Sequence, residues 1–593
     1  MNRRVLVVCL TLFAAACSSG STPPKAPGAR GESTNTADAS RQLKTVADEY
    51  FTAFVDTFPI AATFAGVPEA PVDHLGDNSL AATRAWEQRE DAWIARLQQV
   101  DAAALSGGDV ATHGVLKETL EASRQGRICR PELWPLNQQS GLQTTLPFLS
   151  QLQPLGDAAK RTAALARWRA MSKYIDTEIE TLREGVTQGY TQPRPNVEAV
   201  IAQLDDVVKL TPARSPFAAV AARDDAPGFR DAIVKIVGDE INPALRRYRA
   251  FLATEYLPKA RATTAIKDVP NGEACYRTRV RLYATVDMEP RAVHQLGLDQ
   301  MASLERQMGP LAEQAFGRAD VDAARARLRD DPRLKFKARD DIIKVAQDAA
   351  VRAKAAMPKF LTRFPKSDFV VDPCQPFEEK SGCPGSYVPG TPDGARPGRF
   401  RINAGDPTGQ PRAVAEGTAF HEGIPGHHLQ ISLAQERADA HPLTRYLVFS
   451  GFTEGWALYS ERVADEVGLY SSPIDRLGDL GEQALRAARL VVDPGLHVLG
   501  WTRQQAIDYM AAHLVYPRTY IESEVDRYIA DPGQATAYMI GRLEIERLRG
   551  DASQKLGARF DVRRFHDHVL ENGSVPLTLL RSQIERWVAS EPQ

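Results

Sequence analysis

Apolar residues recur every three to four positions over most of this chain, with charged residues between them, and that period predicts helices. It is clearest in Ala82 to Val100, Ala158 to Val186, Asn196 to Lys209, Phe229 to Leu257 and Pro290 to Phe316. Asp287-Met288-Glu289-Pro290 opens the last of these with the acidic residues and proline that suit a first helical turn. The pattern changes near Lys366. Phe369-Val370-Val371, Ser386-Tyr387-Val388 and Arg399 to Asn403 are short β-like runs separated by Gly/Pro turns. Helical spacing resumes at Ala413 and continues to the C-terminus. No internal repeat of fixed period is visible. The expected fold is mainly α: a large multi-helix, two-lobed domain with a small β-hairpin or edge-strand element beside a cleft. Residues 41–365 would form a helical N-terminal lobe, and residues 366–593 a second lobe of short strands followed by helices.

The first residues read as a targeting segment. Met1-Asn2-Arg3-Arg4 is basic, Val5 to Ala16 is apolar and too short to span a bilayer, and Ala14-Ala15-Ala16 leads into Cys17. Small residues directly before a cysteine resemble a bacterial lipobox. The expectation is a signal peptide over 1–16, lipidation of Cys17 and a flexible Ser/Gly/Pro/Thr-rich tether over 17–40. The protein would be exported and lipid-anchored to the cell envelope, on the periplasmic side of the outer membrane. A net charge of -2 gives no electrostatic case for nucleic acid. Export also bears on the remaining cysteines, because an oxidising compartment permits disulfides. Cys374 and Cys383 bracket a Pro/Gly-rich loop, and a Cys129–Cys275 pair then follows by elimination. None of these spacings resembles a zinc site.

The candidate chemistry lies at His421-Glu422-Gly423-Ile424-Pro425-Gly426-His427-His428, which holds three of the eleven histidines. It resembles the H-E-x-x-H signature, in which two histidines one helical turn apart hold zinc and the glutamate is general base. Here Pro425 stands where the second histidine belongs. On a regular helix, residues six apart diverge by about 120°, and residues seven apart lie about 10 Å apart along the axis. Neither pair would share an ion with bonds of about 2.0–2.1 Å. Pro425 cannot donate to the His421 carbonyl, however, so the turn should bulge or break and could carry a later histidine back towards His421. Glu454, 27 residues beyond His427 on the next predicted helix, is the best third ligand. Glu461, on the same face, would be a carboxylate holding a ligand histidine from behind.

Three elements together resemble the bacterial family catalogued as domain of unknown function 885. They are H-E-[GA]-x-P-G-H at His421 to His427, E-G-W-A-x-Y-x-E at Glu454 to Glu461, and R-Y-x-x-x-P-G-Q-A-x-x-Y-x-x-G at Arg527 to Gly541. The resemblance spans residue 41 to the end and implies a site logic like that of zinc peptidases whose third ligand is glutamate. It favours His427 over His428 as ligand. One Zn²⁺ would then be held by His421, His427 and Glu454, with His428 and Glu461 as an alternative ligand or supporting groups. Glu422 would be the general base. Tyr538 would stabilise the oxyanion, with His497 and Arg527 as second choices; Arg527 could instead anchor a substrate carboxylate. The expected activity is hydrolysis of short or unfolded peptides. The rivals are a zinc hydrolase of a non-peptide amide or ester, such as a cell-wall fragment, and a catalytically silent peptide-binding lipoprotein. His294, His441, His513, His566 and His568 have no motif around them and read as surface or core residues.

Overall fold

The computed structural model describes residues 34–374, 385–390, 394 and 397–592. Long helices form where the apolar period places them: Leu80–Leu97, Ala158–Thr187, Arg194–Val208 and Pro290–Phe316. Ser79 and Asp157 cap two of them by accepting from the backbone N–H groups of Ala82 and Lys160. The segment expected as one helix from Phe229 to Leu257 is interrupted. Wide turns at Val237–Ile241 and Leu252–Tyr256 flank the helix Asn242–Phe251. Each wide turn lies just before a proline, Pro243 or Pro258, whose missing N–H removes a helical hydrogen bond.

A helix covers Thr34–Thr57, taking in the last seven residues assigned to the tether, because Ala39, Leu43 and Val46 already form a buried stripe. Residues 1–16 and Cys17 lie outside the described residues. The strands are β1 (Phe369–Pro373), β2 (Ser386–Val388) and β3 (Gly398–Ile402), in the order β1-β3-β2. The element is more than a hairpin: β3 pairs antiparallel with β2 and parallel with β1, so Phe400 faces both Tyr387 and Val371. Phe400 and Tyr387 are buried and hold the sheet against the protein.

One hydrophobic cluster lies wholly between Phe64 and Ala260. Two others draw on both sides of residue 366. The first joins Trp86 and Trp93 to Phe420, Trp456 and Trp587; the second joins Met301 and Met308 to Leu490 and Tyr528. The helix Pro473–His497 runs through the second and is buried nearly all round. It packs closely along Pro290–Phe316, where a Cβ on Gly297 would lie 2.7 Å from Val491. Cys129 and Cys275 form a disulfide, with Cα atoms 4.9 Å apart. Cys374 is also disulfide-bonded, and its expected partner Cys383 lies outside the described residues. No helix among the described residues is long and apolar enough to cross a membrane.

Candidate metal centre

The helix Ala415–Glu422 stops where Gly423 and Pro425 make its continuation impossible, and a new helix, His427–Gln435, starts at the second histidine. The four linking residues contain a cis Ile424–Pro425 bond. They fold back tightly. Gly426 N–H donates to the Phe420 carbonyl at 3.0 Å, and His428 N–H to the Gly423 carbonyl at 3.1 Å. A Cβ on Gly426 would lie 1.9 Å from the His421 carbonyl oxygen, so only glycine fits there. The indole N–H of Trp456 donates to the Pro425 carbonyl at 2.9 Å and fixes the turn from the opposite side.

The break brings the two histidines face to edge, their ring centroids 4.8 Å apart and their planes at 85°. Glu454 comes from the helix Ser450–Glu466, which follows a short intervening helix, Pro442–Tyr446, that the sequence pattern did not predict. Its Oε2 lies 3.6 Å from His421 Nε2 and 3.5 Å from His427 Nε2. Potential ligand atoms of His421, His427 and Glu454 all lie within 4.8 Å of one another. Two ligands bound tetrahedrally at about 2.0–2.1 Å stand roughly 3.4 Å apart, so this donor set fits one zinc ion. Behind it, Glu461 Oε1 lies 2.8 Å from His421 Nδ1, which leaves Nε2 free to face the cluster. His427 Nδ1 is buried and has no hydrogen-bond partner among the described residues, so only one of the two histidines is braced this way.

The electrostatics follow from burial and crowding. Burial opposes a charged His421, but the carboxylates of Glu454 and Glu461 outweigh it and push the imidazole up to about 10. Burial raises Glu454, yet the two histidines hold it well below the usual carboxylate range. Glu422, next in sequence to His421, is half-buried, and its charge also favours the imidazolium.

His428 is not part of the cluster. Its Nδ1 lies 2.9 Å from the Tyr387 hydroxyl, Phe369 packs 5.2 Å from its ring, and Ser367 supplies a backbone hydrogen bond. Burial drives it down to about 4, a neutral ring bracing the sheet. His497 is also placed elsewhere. It is fully buried, with Nδ1 accepting from Ile266 N–H at 3.2 Å and Nε2 2.9 Å from the Tyr528 carbonyl. Both ring nitrogens bind backbone, and desolvation lowers the ring to about 3, which removes it as a donor to substrate.

A family model described as bacterial protein of unknown function (DUF885) matches residues 59–584. The chain belongs to the DUF885 family. Solved structures similar to this DUF885 chain include a putative lipoprotein from Colwellia psychrerythraea, 24% identical, with a TM-score of 0.85, covering 94% of this chain and 100% of that one. Another is a putative lipoprotein of unknown function from Shewanella oneidensis, 18% identical, with a TM-score of 0.73, covering 92% and 99%. Both share the fold. No curated protein matches.

The glycines of this DUF885 chain's second and third elements have a shared role. A Cβ on Gly455 would lie 2.5 Å from the Gly541 backbone, and one on Gly541 would lie 1.8 Å from the Gly451 carbonyl oxygen. The helices Ser450–Glu466 and Ala537–Leu556 therefore cross backbone to backbone. That crossing carries Tyr538, one turn before Gly541, into electrostatic contact with Glu454. Burial first, and then the Glu454 charge, keep the Tyr538 phenol protonated. Arg527 does not stand free. Its Nε lies 3.2 Å from Glu524, and its Nη1 donates to Gln534 at 3.1 Å. The loop after it is pinned by Asp493, which accepts from Gly533 N–H at 2.9 Å and the Tyr276 hydroxyl at 2.6 Å.

Arg489 belongs to none of the three motifs, yet it stands beside Tyr538 and Glu524. Its Nη2 donates to Glu524 at 2.9 Å, its Nε to the Tyr528 hydroxyl at 3.1 Å, and its guanidinium lies over the Tyr538 ring, 4.7 Å from the centroid. A signal existed: Ala484 to Val492 is apolar except at Arg486 and Arg489, and Arg489 is buried among those residues.

Proposed function

We propose that the protein is a zinc-dependent metallopeptidase acting on short or unfolded peptides. The observation that carries the reading is the convergence of His421, His427 and Glu454, whose Oε2 lies 3.6 and 3.5 Å from the two Nε2 atoms, with Glu422 adjoining His421 in sequence. Zinc held by such a set supplies Lewis acidity and makes a water acidic enough to ionise near neutral pH. Glu422 would serve as the general base that takes a proton from the attacking water and returns it to the leaving amine. Tyr538, kept protonated by burial and by the charge of Glu454, would donate to the oxygen that develops charge. Glu461, 2.8 Å from His421 Nδ1, would hold the ring so that Nε2 is the nitrogen available to a metal. Substrate would enter a cleft between the N-terminal lobe, residues 41–365, and the catalytic lobe, residues 366–593.

We also propose that the chain is exported and lipidated at Cys17. The Ala14-Ala15-Ala16-Cys17 run supports this, as does the description of both similar structures as putative lipoproteins. Replacing Cys17→Ser should release the protein from membranes, and continued sedimentation with them contradicts lipidation.

The activity is tested with zinc-loaded protein and a library of unstructured peptides. Wild type should cleave. Glu422→Gln should retain zinc yet lose cleavage by about 100-fold or more. An intact library with zinc-loaded wild type, or equal cleavage by Glu422→Gln, overturns the reading.

A further inference from the structure

The cations beside the candidate centre are out of balance with their carboxylates. Arg489 and Arg527 both direct their guanidinium groups to Glu524, and the Tyr528 hydroxyl donates to the same carboxylate at 2.7 Å. Burial opposes a charged Glu524, but the two arginines hold it down to about 2, so the group carries two positive charges and one negative. The neighbouring Arg486 is already matched by Glu482. Arg489 is 6% exposed, and its Nη1 has no hydrogen-bond partner among the described residues. An unpartnered N–H on a buried cation is costly, and a carboxylate is the ligand whose charge and geometry satisfy it. The position matters as much as the charge. Arg489 covers one face of the Tyr538 ring, and Tyr538 is in electrostatic contact with Glu454.

From this geometry we infer that Arg489, braced by Glu524 and Arg527, binds the C-terminal carboxylate of the peptide substrate. The inference rests on the peptidase reading and deepens it: the enzyme removes residues from the C-terminal end of short peptides. Tyr538 divides the two tasks, with the carboxylate anchored on its ring side and the scissile carbonyl on the Glu454 side. The anchor also selects against internal cleavage, because an uncharged chain passing Arg489 would leave the Nη1 unsatisfied.

The test measures binding and cleavage separately on the full chain, with and without added zinc. The probes are acetyl-tetra-alanine, its C-terminal amide, and the same amide ending in glutamate. Binding is measured calorimetrically on Glu422→Gln, which blocks turnover. The acid should bind on the order of 10- to 100-fold more tightly than either amide. That preference should persist without zinc and collapse in Glu422→Gln/Arg489→Met, whose thermal unfolding is compared with its parent. If the double variant fails to fold, the acid–amide comparison on Glu422→Gln alone decides. Equal binding of acid and plain amide overturns the anchor, and glutamate amide bound as tightly as the acid overturns its assignment to the C-terminus. Preference for the acid in binding, with no cleavage of any probe by zinc-loaded wild type, upholds the anchor as a carboxylate site and sinks the peptidase reading.

Discussion

His427 and His428 are adjacent, yet the fold gives them opposite surroundings. His427 faces Glu454 at 3.5 Å, whereas His428 is held by Tyr387 and packed against Phe369. His427→Ala should therefore abolish stoichiometric zinc binding, and His428→Ala should leave the zinc content intact while lowering the melting temperature; metal analysis and thermal unfolding separate the two. Glu461→Gln should weaken zinc by about 10- to 100-fold in competition with a chelating dye, because it loosens His421 without removing a ligand. Much of this was legible at the level of residue type. His421, Glu454 and Glu461 follow from spacing and motif, and the break at Pro425 follows from its missing N–H. Which histidine turns inwards was not legible from helix geometry, because it depends on the sheet that claims His428. Arg489 was overlooked because it belongs to no motif and acquires meaning only beside Glu524 and Tyr538.

Among the elements, the decisive contact is the glycine crossing of Ser450–Glu466 with Ala537–Leu556. Gly541→Ala would drive a Cβ to 1.8 Å from the Gly451 carbonyl oxygen, and backbone cannot yield as a side chain can. We expect a loss of about 3 kcal/mol or more in chemical denaturation. Weaker zinc binding should accompany it, since Glu454 rides on the displaced helix. Gly550, exposed on the same helix with open space around it, is the control: Gly550→Ala should stabilise by up to about 1 kcal/mol. Periodicity located Pro290–Phe316 and all three strands, since local pattern governs them. It did not reveal the interruptions before Pro243 and Pro258, the short helix Pro442–Tyr446, or the parallel pairing of β1 with β3. Parallel pairing joins distant segments and leaves no local signal.

Across the whole molecule, a covalent tie adds to the three hydrophobic clusters. The Cys129–Cys275 bond closes a span of 146 residues, so its reduction should cost up to about 5 kcal/mol, read as a lower denaturation midpoint with reductant. Two fully buried neutral histidines, His497 lowered to about 3 and His566 to about 4 by desolvation, make the fold acid-labile. The unfolded chain takes up these protons below about 6.5, and the folded one does not. The contribution is therefore present above about 6.5 and lost as the pH falls towards the folded values, by about 2 kcal/mol for each histidine at pH 5. Asp493 works in the opposite sense, since burial raises it to about 7 and its share is lost as the pH rises through that value. His566→Gln should therefore lose less stability than wild type between pH 7 and pH 5, as read from urea midpoints, and an unchanged pH dependence contradicts the assignment. The central claim is the metal centre itself, and its most direct measurement is elemental analysis with X-ray absorption on the full chain after incubation with zinc. The account predicts one zinc per chain in a shell of two imidazole nitrogens and carboxylate oxygen at about 2.0–2.2 Å, lost in His427→Ala. Protein that takes up no zinc, or holds it unchanged in His427→Ala, contradicts it.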